Sequence, residues 1–123
     1  MEATVEEQLR EEYHPADVAV VLFKDGDLLV EVETDASPIV IRAKKPIGYR
    51  VLDEGDLIEF WPTCSLANGW LHKILVGGWM ELESTREGFL SSDQKELGEW
   101  LIVTENTCVS IICHQRPTVQ YTT

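Results

Sequence analysis

The sequence predicts an α+β fold: a mostly antiparallel β-sheet, curled into a half-barrel or sandwich, with an N-terminal helix and one short helix near residues 92–97. Two observations carry this. Apolar runs rich in β-branched residues recur roughly every ten residues, broken by turn pairs such as Asp25-Gly26 and Gly55-Asp56. Only two segments, TVEEQLREEY and SSDQKELGEW, carry helix-start signals. A chain of 123 residues that is 44% hydrophobic can bury a core as one domain, 1–123, despite its charge.

The first segment places Thr4 and Glu7 at capping-box spacing and Val5, Leu9 and Tyr13 at i, i+4, i+8, with Pro15 as its stop. DVAVVLFKDGDLLVEVET follows as a β-hairpin, because Gly26 tolerates the positive φ of a hairpin turn. Its second arm alternates, with Leu28, Val30 and Val32 opposite Glu31 and Glu33. Its first arm is apolar on both faces, which predicts a central strand covered on both sides. SPIVIRAKK is a third strand, and YRVLDEGDLIEFWP a strand, turn and strand, so that residues 17–62 form an antiparallel meander.

NGWLHKILVGGWM is then a strand from Trp70 to Val76, a turn or bulge at Gly77-Gly78 and a short strand over Trp79–Leu82. Leu71, either Ile74 or Leu75, and Val76 are assigned to the core, and His72 and Lys73 to the outside. Ser91 and Gln94, at capping-box spacing, open the short helix. EWLIVT and TCVSIICHQ form a final hairpin stopped by Pro117, and residues 118–123 fray or add an edge strand.

Charge is the strongest compositional signal. The net charge is −12. Residues 1–35 hold eleven acids against Arg10 and Lys24, whereas residues 36–50 hold four bases and no acid. Such a field repels phosphate backbones and attracts basic partners, which argues against nucleic acid. No apolar run approaches the ~18 residues of a membrane span, and the N-terminal residues lack a secretory signal pattern. Three cysteines, an odd number, fit a reducing cytoplasmic compartment.

No catalytic signature is present. Cys64, His72, Cys108, Cys113 and His114 lack the spacing of a zinc site, so no metal is expected, and buried free thiols are the expectation. A Cys–His pair, for example Cys64 with His72, could activate a nucleophile or line a small-ligand pocket. Phosphate-binding glycine loops are absent, and no cofactor is expected. Trp61, Trp70, Trp79 and Trp100 are many for this length, and tryptophan is enriched at interface hot spots.

These observations point to a small acidic binding protein that neutralises a basic protein partner. In size, charge and lack of catalytic signature it resembles the bacterial immunity proteins that block nuclease toxins, a likeness of class that no motif carries. Glu31, Glu33, Asp53, Glu54 and Asp56 are the acids expected to meet the partner, and Trp61, Trp70 and Trp79 the anchors. The alternatives are a self-associating scaffold subunit, and a ligand binder or enzyme with a pocket near Cys64 and His72.

Overall fold

The Asp25-Gly26 pair makes the turn its sequence dictates. In the computed structural model, which describes residues 1–93 and 96–122, both residues take positive φ, 53° and 85°. This is the type I′ geometry that matches the twist of paired strands. It joins β2 (Asp17–Lys24) to β3 (Asp27–Glu33). β3 pairs next with β4 (Ile39–Ala43), and β4 with β9 (Thr118–Tyr121), giving a four-stranded antiparallel sheet in the order β2-β3-β4-β9. Leu28, Val30, Val32, Ile39, Ile41 and Ala43 are buried at alternate positions, as the period of two requires. The tail thus adds an edge strand.

The second sheet is five-stranded and antiparallel. Its order is β1 (Glu2–Glu7), β6 (Leu71–Val76), β7 (Gly98–Ile102), β8 (Thr107–Cys113) and β5 (Gly48–Asp53). One face of this sheet supplies Leu71, Trp100, Ile102, Val109, Ile111 and Cys113 to a core shared with the first sheet. The two sheets therefore form a sandwich, with nine strands among the described residues. The meander is broken after β4, since β5 crosses to the other sheet.

Three expectations are corrected here. The N-terminal helix is a strand: β1 pairs with β6, with Ala3 opposite Ile74 and Val5 opposite His72. A stripe of three apolar residues stabilises a short helix weakly, whereas β1 supplies a ladder to an edge that would otherwise lack one. The strand expected over DLIEFWP is a run of 3-10 turns ending in α1 (Trp61–Cys64), with Pro62 in its first turn. Leu57, Phe60 and Cys64 recur at i, i+3, i+7 and bury against Ile74, Leu101, Val103 and Cys108, on the far face of the five-stranded sheet. The strand expected over Trp79–Leu82 is α2 (Trp79–Glu83).

α2 begins after Gly78, which caps it with no side chain of its own. The cap comes from β7: Glu99 Oε2 accepts the Trp79 N–H at 3.0 Å and Oε1 the Met80 N–H at 2.7 Å. A Cβ at 78 would stand 2.6 Å from both Glu99 Oε1 and Ile74 Cγ2, so a larger residue there would displace the capping carboxylate or a core side chain. The short helix expected over 92–97 falls partly on residues 94 and 95, outside the described residues; a 3-10 turn, Leu90–Asp93, precedes them.

The apolar first arm of the hairpin is also corrected. β2 is the edge of its sheet, not a central strand, and leaves Val20, Leu22 and Phe23 38%, 47% and 52% exposed.

Candidate functional site

Hydrogen bonds between loops gather acids at one end of the sandwich. The Ala16 N–H donates to Glu33 O (2.9 Å), and Asn106 Nδ2 to Ala16 O (3.2 Å). The Glu105 N–H donates to Pro15 O (3.3 Å), and the Glu54 N–H to Asn106 O (2.8 Å). Each loop ends a strand, so these bonds bring together Asp17, Glu33, Asp53, Glu54, Asp56 and Glu105. Asp53 Oδ1 accepts the Gly55 N–H at 2.8 Å and shapes the turn that presents Glu54 and Asp56. His14 Nε2 lies 2.7 Å from Glu105 Oε1 in an exposed pair, which contributes little stability in water.

Of the acids expected to meet a partner, Glu33, Asp53, Glu54 and Asp56 lie at this end. Glu31 stands two residues further along β3, half-buried between Val20 and Val40 on the outer face of the four-stranded sheet. Asp17 and Glu105 were not singled out from sequence. Their signal is positional: Asp17 opens β2, and Glu105 sits in the turn between β7 and β8, at the strand ends that also carry Glu33 and Asp53.

The tryptophans divide. Trp70 is fully buried in the core, so it is withdrawn from the partner surface. Its Nε1–H donates to Tyr121 Oη (3.2 Å), and Tyr121 Oη–H donates to Glu7 Oε1 (2.6 Å). Trp100 is also core. Trp61 is half-buried on α1, five residues beyond Asp56. Trp79 is half-buried on α2 beside Gly48, with the Arg50 guanidinium 5.2 Å from its ring centroid. Gly48 and Asp53 are the two ends of β5, so roughly 16 Å of strand separates Trp79 from the acidic turn. Trp79 instead lines a groove of about 420 Å³ with Tyr49, Phe89 and Leu90.

The pocket expected near Cys64 and His72 is core. Both residues are buried, which corrects the outward placing of His72. Burial pushes the Cys64 thiol up to about 11, and likewise Cys108 and Cys113, so all three are protonated at neutral pH, the reverse of an activated thiolate. His72 Nε2 lies 2.9 Å from Gly69 O, an acceptor, so that nitrogen carries the proton. Nδ1 is buried with no hydrogen-bond partner among the described residues, and burial lowers the pKa of the ring. Burial likewise pushes the Glu99 carboxyl up, against the pull of its two backbone N–H donors and Arg50. Among the described residues no group of three or more His, Cys, Asp or Glu is placed to hold a metal ion. No helix among them is long and apolar enough to cross a membrane. Compared with protein-family models, with curated proteins and with solved structures, the chain matches none.

Proposed function

We propose that this chain is a small acidic binding protein that engages a basic protein partner through the loop end of the sandwich. The most concrete case is a bacterial immunity protein acting in the cytoplasm on a nuclease-type toxin. The observation that carries the reading is the convergence of Asp17, Glu33, Asp53, Glu54, Asp56 and Glu105 at strand ends and adjoining loops that hydrogen bonds join. These carboxylates present the negative charge that a nucleic-acid-binding surface attracts, on loops held by a packed scaffold. Glu31 extends the surface along β3, and Trp61, beyond the acidic turn, is the aromatic anchor.

The test is a capture from host lysate at low salt, with the intact protein as bait. A stoichiometric basic protein, released by salt, is the expected result. The triple substitution Asp53→Asn, Glu54→Gln, Asp56→Asn should slow its association about tenfold, and the slowing should fade as salt rises. Neutralising three distant acids, Glu2, Glu81 and Glu87, should change the rate less. Equal slowing by both triples would sink the assignment to this end, and recovery of no basic protein would sink the reading itself.

A further inference from the structure

The edge strand β2 carries a different interaction. Among the described residues its outer edge has no neighbouring strand, and between Asp17 and Lys24 it has neither proline nor charge, the usual devices that keep an edge from pairing. Its pairing with β3 is irregular at Ala19, which has no partner there. The remaining seven residues face seven consecutive residues of β3: Asp17 faces Glu33, Val21 faces Val30, and Lys24 faces Asp27. Val18, Val21 and Phe23 thus share the inner face with Val32, Val30 and Leu28. Asp17, Val20, Leu22 and Lys24 share the outer one.

The core is open along this side. The Phe23 ring lies 6.1 Å from Tyr49 on β5, the edge of the opposite sheet. Phe23, Tyr49 and Val51 remain 52%, 37% and 44% exposed. Residues of an inner face that are half in water form the kind of apolar patch that partners cover.

A two-fold axis normal to a sheet keeps outer residues outer when two antiparallel strands join. Centred on Val21, the seven positions of β2 then match themselves on both faces. Val20 meets Leu22 of the partner subunit, Val18 meets Phe23 of the partner subunit, and Asp17 meets Lys24 of the partner subunit, twice. We propose that β2 is the interface of a homodimer in this register, joining the two four-stranded sheets into one. The self-complementary charge pattern names a second copy as the occupant, and like charges would face each other in no part of it.

Sedimentation of the isolated protein over a range of concentrations tests this. The wild type should reach twice the 13.9 kDa of the chain. Leu22→Lys, on the exposed outer face, should give a monomer with an unchanged circular-dichroism spectrum. Lys24→Asp should weaken the dimer about tenfold, by setting Asp17 against an acid twice, and Asp17→Lys in the same chain should restore it. Because each copy carries −12, moderate salt should tighten this dimer, the opposite of its effect on a basic partner. A wild-type monomer at the highest concentration reached would overturn the proposal, as would a dimer indifferent to Leu22→Lys. Failure of the charge swap to restore the dimer would overturn the register.

Discussion

β2 and β8 are similar as text and opposite in fate. The first reads VAVVLF between Asp17 and Lys24, the second CVSIIC after Thr107. β8 lies between β7 and β5, and all six of those residues are buried, with one face on the sandwich core and the other meeting the 57–64 segment at Cys108 and the Trp79 groove at Ile112. β2 has one neighbour and one covered face, and Val20, Leu22 and Phe23 stand partly in water. An apolar run therefore states that a strand can be covered on both faces, not that it is. Where the chain does not return to cover it, the same run becomes a surface.

Phe60 offers the largest effect with which to break this comparison. If the 57–64 segment is the second cover of the five-stranded sheet, Phe60→Ala should cost about 3–5 kcal/mol in denaturant unfolding. A loss below about 1 kcal/mol would make the segment an appendage. On the open side, Leu22→Ala should cost the folded monomer less than about 1 kcal/mol, because roughly half of that side chain is already in water.

A pH series sharpens the comparison, since the covered face carries the buried titratable groups. Folded His72 sits below its ordinary 6.5, so its contribution is present above that value and lost as pH falls beneath it. Folded Glu99 sits above its ordinary 4.5, so its contribution is full below that value and lost as pH rises through the folded pKa. Between about pH 7 and 5.5 the wild type should lose stability relative to His72→Gln, by at most ~1.4 kcal/mol per pH unit for one proton. Parallel stability curves would mean that His72 titrates as it does in the unfolded chain. The smallest effect belongs to the acidic end: Glu33→Gln should change stability by no more than about 0.5 kcal/mol, the range of surface substitutions.

The candidate surface was half legible. Glu33, Asp53, Glu54 and Asp56 are visible as acids at turns and strand ends. Glu105 and Asp17 join them only through bonds between loops distant in sequence, such as Glu54 to Asn106. Trp70 and His72 could not be placed from the text, because LHKILV does not declare that both faces are covered at its start, where Leu71 and His72 are buried, and open at its end, where Leu75 and Val76 are exposed. Glu99 was likewise invisible: an acid in a β-strand gives no sign that it caps a helix twenty residues earlier.

The sequence by itself determined what depends on neighbours along the chain. The positive φ available to Gly26 sets the β2–β3 turn, the period of two divides β3 and β4 into a buried and an outer face, and the apolar text of EWLIVT and TCVSIIC yields the β7–β8 hairpin. Only the tertiary structure decided that residues 2–7 pair as a strand, that Leu57, Phe60 and Cys64 cover one sheet, and that β2 is left at an edge. The physical reason is that ladder pairing and burial are free energies between segments far apart in the chain, and they outweigh the few tenths of a kcal/mol per residue by which local propensity distinguishes helix from strand.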